Sequence, residues 1–180
     1  MSRVVVAMDM SVDGVVENPS WTAPFWNDDH ARYQHGHLME SRALLLGRVT
    51  YQQLPRMWPA RNVSDAFLAR LDKIPKYVVS RTLDRPGWNT IVLDGDLTAQ
   101  ITKIKSEPGP DLLTYGGITL VNHLIAHNLV DELRLCIHPA VVGTGRRLFH
   151  AGVTPTIWRL SATQTFSSGA VVLAYRPSPA

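Results

Sequence analysis

The sequence predicts an α/β fold with a mostly parallel central sheet, antiparallel strands at the carboxyl end and flanking helices. Short apolar runs alternate with amphipathic segments along the first two-thirds of the chain, which is typical of parallel β-α units. The last third keeps strand patterns, with no helical pattern between the final two. The chain has 180 residues, of which 45% are hydrophobic and 18% charged, enough for the core of one ordinary domain. We therefore expect a single domain over residues 1–180.

The individual elements follow from periodicity and from cap, glycine and proline positions. A loop rich in Gly, Asn, Pro and Trp is expected from Ser11 to Trp26, and so long a loop is usually functional. The strands are expected at Val4–Met8, Leu44–Leu46, Tyr77–Val79, Ile91–Leu93, Leu112–Tyr115, Glu132–His138, Ile157–Thr165 and Val171–Tyr175. The helices are expected at Asn27–Ser41, Val63–Asp72, Leu97–Lys105 and Ile118–Leu129. The inward face of the first helix is expected to carry Ala31, His35, Leu38 and Met39.

Charge and cysteine content narrow the function classes. The formal net charge is +3 and the pI about 9.2, but the basic residues are scattered, which argues against a nucleic-acid partner. The single cysteine, Cys136, lies in an apolar strand pattern and is expected to be a structural thiol in a reducing compartment. The first apolar run is too short for a signal sequence, being interrupted by Asp9, and no segment has the length of a membrane span. We expect a cytoplasmic protein without a membrane partner.

Two strand exits supply hydrogen-bond donors suited to phosphate. Gly47 permits a turn after the second strand, Arg48 offers a fixed cation, and the Thr50 hydroxyl is a donor. The next strand ends at Ser80 and Arg81, which again supply a hydroxyl and a guanidinium. Each group alone is also explained as a helix cap or a surface charge. Their recurrence at successive strand exits favours a dinucleotide ligand.

A third exit places two glycines between a strand and a helix. Gly116 and Gly117 allow close approach of a ligand to the backbone, and the helix then begins with Ile118, Thr119 and Leu120, whose amide groups point outward at its first turn. This pattern predicts an anion site. The alternative is a tight turn whose glycines only permit packing.

These residues carry a resemblance to a known family. The segments SVDG, LLLGRVTY, YVVSR, YGGITLVNHL, DELRL and HPAVVGTGRRLF occur in family order over nearly the whole chain. The chain resembles the dihydrofolate reductase-like superfamily, and most closely the riboflavin-pathway reductase C-terminal domain and its stand-alone bacterial relatives. The resemblance implies a dihydrofolate reductase-like α/β fold, NADPH as cofactor and a homodimer, as is frequent among such relatives.

The resemblance also implies roles for particular residues. Gly47, Arg48, Thr50, Ser80 and Arg81 would hold the adenosine phosphates. The segment from Gly116 to Leu120, namely Gly116, Gly117, Ile118, Thr119 and Leu120, would hold the pyrophosphate. Ala7 and the loop after Asp13 would border the nicotinamide. Tyr115 stands just before the two glycines, where riboflavin-pathway reductases often carry an acid, and it is a candidate for substrate contact.

Other candidates each have a plainer alternative. Asp13 could orient substrate or relay a proton, although Asp-Gly is also ordinary turn chemistry. Trp21 could contact substrate from the long loop, although loop aromatics often only pin a loop to the core. His123 and His127 have a metal-compatible spacing, but the helical wheel places both toward solvent and no third ligand is evident, so we expect no metal site. Arg146 and Arg147 follow a GxG loop and could meet an anionic substrate group.

The leading functional hypothesis is an NADPH-dependent reductase acting on a small heterocyclic or carbonyl substrate of the pterin or ribityl-aminopyrimidine type. The alternative is a non-catalytic NADPH- or nucleotide-binding protein on the same fold, because fold alone does not fix function.

Overall fold

One eight-stranded sheet organises the computed structural model, which describes residues 1–61 and 63–178. The strands are β1 (Val4–Ser11), β2 (Ser41–Gly47), β3 (Lys76–Val79), β4 (Thr90–Leu93), β5 (Asp111–Tyr115), β6 (Glu132–His138), β7 (Trp158–Thr165) and β8 (Val171–Pro177). Their order is β4-β3-β2-β5-β1-β6-β8-β7. The six strands from β4 to β6 pair in parallel, whereas β8 pairs antiparallel with β6 and β7. The expected fold class is confirmed.

Five α-helices in the described part of the chain cover the sheet. They are α1 (Asp28–Glu40), α2 (Arg48–Met57), α3 (Asp65–Lys73), α4 (Leu97–Ser106) and α5 (Ile118–Ala126). Side-chain caps begin three of them, because Asn27, Ser64 and Asp96 accept hydrogen bonds from backbone N–H groups three residues later. None of the helices in the described part of the chain is long and apolar enough to cross a membrane.

Alternating side chains of the central strands pack into two hydrophobic cores, one on each face of the sheet. Val4, Val6 and Met8 of β1 join one core with residues of α4 and α5, and Val5 and Ala7 join the other with residues of α1, α2 and α3. Each face of the parallel part of the sheet is therefore covered by helices. This arrangement leaves the carboxyl ends of the parallel strands as the open edge where ligands of such sheets bind.

Three expectations about elements are corrected by the structure. A helix, α2, begins directly at Arg48, where the sequence suggested only a polar segment; Pro55 inside it and the absence of a side-chain cap had hidden it. The loop from Ser11 to Trp26 is partly a 3₁₀-helix at Pro19–Phe25. The buried face of α1 carries His30, Gln34, His37 and Leu38, while Met39 is exposed, so the expected stripe of Ala31, His35, Leu38 and Met39 was wrong apart from Leu38.

Candidate active site

A cavity of about 520 Å³ opens at the carboxyl ends of the central parallel strands. Ala7 of β1, Gly47 of β2, Val79 of β3 and Tyr115 of β5 all contribute to its lining. Because these strands are adjacent in the sheet, their exits meet at one edge, as expected for a ligand site in an α/β sheet. The lining includes ten of the residues predicted from the sequence to bind cofactor or substrate: Ala7, Gly47, Arg48, Thr50, Tyr115, Gly116, Gly117, Ile118, Thr119 and Leu120.

Two helix N-termini converge on this cavity. Helix α2 starts from Gly47 and α5 starts from Gly117, and both begin without a side-chain cap. The first helical hydrogen bond of α5 runs from Val121 N to Gly117 O at 2.9 Å, so the amide groups before Val121 have no carbonyl partner within the helix. A Cβ added to Gly117 would lie 3.9 Å from Gly47 N and 3.4 Å from Thr50 Oγ1, which shows how closely the two termini approach. Such paired termini attract anions.

Glycine is required at the start of α5. Gly116 and Gly117 have φ angles of 59° and 80°, in the left-handed region that L-residues rarely adopt. No heavy atom lies within 4 Å of a Cβ built on Gly116. The two glycines therefore serve both the turn and the open approach to the α5 amides.

Basic and hydroxyl groups follow the exits of β2 and β3 beside the cavity. Gly47 and Val79 are register partners, so Arg48 and Ser80 follow neighbouring positions of the sheet. Arg48 and Arg81 are exposed. Ser80 and Arg81 are not part of the cavity lining, and the Ser80 hydroxyl accepts a hydrogen bond from Thr82 N at 3.1 Å. Of the predicted adenosine-phosphate residues, Gly47, Arg48 and Thr50 line the cavity, whereas Ser80 and Arg81 lie outside its lining.

Gln34, Arg61 and Asp9 are polar side chains in the cavity lining. Gln34 is 5% exposed, and its Oε1 has no hydrogen-bond partner among the described residues. The Arg61 guanidinium lies 4.8 Å from the centre of the Trp26 ring, and Asp9 contributes a carboxylate from β1. A ligand here would lie beside the Asp9 carboxylate, the Gln34 side chain and the Arg61 cation.

Asp9 belongs to a buried group that we call the Asp9 cluster: Asp9, His30, Cys136 and His138. Asp9 Oδ1 is 3.0 Å from His138 Nε2 and 3.8 Å from His30 Nε2, and His30 Nε2 is 3.3 Å from Cys136 Sγ. His30 and His138 are 0% and 1% exposed, and Cys136 is 3% exposed. Only Asp9 also reaches the cavity lining.

Aromatic rings enclose the histidines of this cluster. Trp26 lies over His30 at 5.2 Å between ring centres, and Phe166 meets His30 edge-on at 4.6 Å. Trp21 and Phe25 lie 5.6 Å and 5.7 Å from His138. Burial acts to raise the pKa of Asp9, but the contacts with His138 and His30 outweigh it and hold the pKa below its usual value. Burial raises the pKa of the Cys136 thiol.

Asp13, the predicted catalytic residue, lies outside the cavity lining. Its carboxylate accepts hydrogen bonds from Ser11 Oγ at 2.6 Å, Val142 N at 3.0 Å and Gly143 N at 2.9 Å. These donors lower its pKa to about 2. The contacts correspond to the alternative that we weighed, a turn residue, and they tie the loop after β1 to the segment after β6.

Trp21 also stands apart from the cavity lining. Its indole N–H donates to Glu17 O at 3.2 Å while its ring meets His138, so it pins the long loop to the Asp9 cluster. Arg146 does line the cavity, whereas the Arg147 Nε donates to Asp13 O at 2.8 Å. His123 lines the cavity as well, and its Nε2 is 3.3 Å from Thr98 Oγ1.

Sequence reasoning missed the buried polar residues of this site. Asp9 was visible as a charge that interrupts an apolar strand, and such a residue in a central strand is a functional signal. His30, Gln34 and His138 had no comparable signal, because their burial depends on how α1 packs against β1 and β6.

Comparisons with known proteins agree with this architecture. The family described as the RibD C-terminal domain matches residues 2–172. The uncharacterized protein YyaP of Bacillus subtilis (strain 168) is 28% identical over 176 residues, covering 96% of this chain and 94% of YyaP.

Two solved structures show the same fold. A protein from Shewanella sp. PV-4, provisionally assigned to riboflavin biosynthesis, superposes with a TM-score of 0.78 at 18% identity, covering 99% of this chain and 100% of that one. Dihydrofolate reductase from Enterococcus faecalis, complexed with NADP(H), superposes with a TM-score of 0.67 at 12% identity, covering 98% and 97%. Together with the family match over nearly the whole sequence, this places the chain in the RibD C-terminal domain family.

Proposed function

We propose that this protein is an NADPH-dependent reductase that acts on a small flat heterocycle or carbonyl compound. The observation that carries the proposal is the convergence of the α2 and α5 N-termini on one cavity at the sheet edge, with Gly116 and Gly117 between them. The approach of Gly117 to Gly47 and Thr50 leaves a bare backbone surface that fits a pyrophosphate. Membership of the RibD C-terminal domain family supports the reductase class.

Different residues would bind different parts of NADPH. The amides of Ile118, Thr119 and Leu120 would hold the pyrophosphate, and Arg48 with Arg81 would neutralise the 2′-phosphate at the exits of β2 and β3. Ala7 would lie beside the nicotinamide. When bound, NADPH supplies the hydride, and the protein supplies orientation and electrostatics.

The inner wall defines the substrate side. The Asp9 carboxylate is an acceptor in the cavity lining, so it favours a substrate that offers N–H donors, and Gln34 adds a polar amide beside it. Tyr115 and Trp58 form an aromatic floor, with 5.4 Å between their ring centres, suited to a flat ring. Arg61 supplies the cation for an anionic group of the substrate. This pattern fits pterins and ribityl-aminopyrimidines.

Cofactor binding is tested by titrating the purified protein with NADPH and following nicotinamide fluorescence. We expect saturable binding. An absence of binding at millimolar NADPH would rule out the proposal.

Turnover is tested separately by following NADPH oxidation with a panel of pterins, ribityl-aminopyrimidines, quinones and small aldehydes. Oxidation with at least one of them supports the reductase. Tight NADPH binding without oxidation by any of them would favour the alternative, a non-catalytic NADPH-binding protein.

A further inference from the structure

We propose that the Asp9 cluster is a four-ligand site for one zinc-class divalent ion, set in the wall of the cavity. The four side chains offer one carboxylate oxygen, two imidazole nitrogens and one sulfur, and all four ligand atoms lie within 4.8 Å of one another. This donor set is typical of Zn²⁺, whereas Mg²⁺ and Ca²⁺ require oxygen ligands. The inference concerns a different ligand from the proposed cofactor, and it does not depend on NADPH binding.

The sheet itself brings three of the ligands together. Asp9 and Cys136 are register partners on the parallel strands β1 and β6. His138 follows Cys136 by two residues, so both side chains point to the same face of β6. Helix α1 packs on that face and supplies His30 from its first turn, where the Asn27 cap fixes the helix start. The ligands therefore come from three rigid elements, as a preorganised metal site requires.

The measured distances suit tetrahedral coordination. Bonds of about 2.0–2.3 Å to a tetrahedral zinc place neighbouring ligand atoms roughly 3.3–3.8 Å apart. Three pairs of ligand atoms in the cluster lie at 3.0, 3.3 and 3.8 Å, and the other pairs lie within 4.8 Å. Binding an ion would draw the more distant ligand atoms together by about 1 Å and turn the stacked His30 and His138 rings so that a nitrogen of each points at the ion; the cavity beside Asp9 provides an entry path.

Charge balance is compatible with an ion. The cluster is walled by Trp26, Phe166 and other rings, where a carboxylate needs a hydrogen-bonded or cationic partner, and Asp9 has His138 as that partner in the metal-free arrangement. A divalent cation with one carboxylate, one thiolate and two neutral imidazoles sums to zero charge. On binding, the thiol proton leaves to solvent and a metal–sulfur bond forms. The alternative is a metal-free cluster in which hydrogen bonds alone join the four side chains.

The test uses untagged protein stripped with a chelator and titrated with Co²⁺ while its absorption is recorded. We expect one Co²⁺ per chain, intense visible bands of a tetrahedral site and a near-ultraviolet thiolate-to-cobalt band, all abolished by equimolar Zn²⁺. Cys136→Ser should remove the near-ultraviolet band. His138→Gln should weaken cobalt binding by more than about tenfold, the loss that even an outer-shell change causes.

The control removes a second histidine pair, half-buried His123 of α5 and exposed His127 just after it, whose ring centres lie 4.1 Å apart. The double variant His123→Ala with His127→Ala should leave the cobalt spectrum unchanged. The proposal is wrong if wild-type protein shows no thiolate-to-cobalt band at saturating Co²⁺, in which case protons hold the cluster. It is equally wrong if the band survives Cys136→Ser or is lost in the double variant. The wild-type spectrum decides even where a variant does not fold.

Discussion

Arg48 and Arg81 are the residues through which the protein is expected to choose NADPH over NADH. Both are exposed at neighbouring strand exits, and only NADPH carries a 2′-phosphate for them to meet. A charge-assisted hydrogen bond contributes about 1.5–3 kcal/mol. Removing either arginine should therefore weaken NADPH binding by roughly one to two powers of ten, at about 1.4 kcal/mol per tenfold. NADH binding should barely change.

The measurement is the ratio of the NADPH and NADH dissociation constants for wild type, Arg48→Ala, Arg81→Ala and the double variant. Arg159→Ala is the matched control, because this exposed arginine lies on β7 at the far edge of the sheet. A ratio that stays within about twofold in both single variants, roughly 0.4 kcal/mol, would mean that the arginines are solvated surface charges.

Asp13 is expected to stabilise the segment after β6 without taking part in chemistry. An asparagine offers one acceptor where the carboxylate serves Ser11, Val142 and Gly143, so Asp13→Asn should lower the melting temperature and speed amide exchange at Val142 and Gly143. Folding lowers the pKa of Asp13 from 3.8 to about 2. The ionised carboxylate therefore stabilises the fold fully above pH 3.8, and this stabilisation is lost as the pH falls toward 2. The melting-temperature difference between wild type and Asp13→Asn should shrink over that interval. A constant difference would argue against the ionised tether.

At the scale of elements, the start of α5 is the most sensitive to a single methyl group. Gly117→Ala would place a residue with a side chain at φ 80°, which should lower the free energy of unfolding by about 1–2 kcal/mol. The new Cβ would lie 3.4 Å from Thr50 Oγ1 and narrow the approach to the α5 amides. We expect NADPH binding to weaken by about tenfold or more, the equivalent of one hydrogen bond.

Gly36→Ala provides the matched control in the middle of α1. A Cβ built there meets no atom within 4 Å, so alanine should raise the free energy of unfolding by ~0.5–1 kcal/mol. NADPH binding should be unchanged. Equal NADPH affinities for Gly117→Ala and wild type would show that the pyrophosphate does not bind at the start of α5. Chemical denaturation and fluorescence titration supply both numbers for each variant.

Lys76 opens β3 and is expected to make stability depend on pH. The residue is 0% exposed, and its Nζ donates to Leu71 O at 2.5 Å and to Ile74 O at 2.8 Å. Burial lowers its pKa from 10.5 to about 8. The unfolded chain holds this proton more tightly than the folded chain does. The contribution of Lys76 to the free energy of unfolding should therefore rise as the pH increases from about 8 to 10.5.

The measurement compares wild type with Lys76→Met, so that the other groups that titrate in this interval cancel. The difference in unfolding free energy should change by at most ~1.4 kcal/mol per pH unit, in favour of wild type as the pH rises. A difference that does not vary with pH would show that folding does not lower the pKa of Lys76.

Elements with regular apolar periodicity were predictable, and those whose inner face is polar were not. Strand β6 was expected at Glu132–His138 and is found there, because apolar side chains fill the core face. Helix α1 was located correctly, but its inward side was not. His30 is buried in the Asp9 cluster and Gln34 lines the cavity, whereas His37 packs against Tyr33. Hydrophobic periodicity does not predict buried polar residues of this kind.

At the scale of the whole molecule, topology determines which distant residues meet. Strand exits could be identified from glycines and basic residues, so most of the predicted phosphate-binding set does line one cavity. The Asp9 cluster could not be predicted, because it joins residues of β1, α1 and β6 that only the sheet order places together. Asp13 and Trp21 were selected for their position after β1, yet their side chains turn toward other parts of the loop structure.

The central claim is that NADPH lies across the N-termini of α2 and α5, and a crystal structure of the protein soaked with NADPH tests it most directly. The account predicts the pyrophosphate on the amides of Ile118, Thr119 and Leu120, a 2′-phosphate between Arg48 and Arg81, and the nicotinamide beside Ala7 in the cavity. A cofactor bound with its pyrophosphate away from both helix termini, or bound elsewhere while this cavity stays empty, would contradict it.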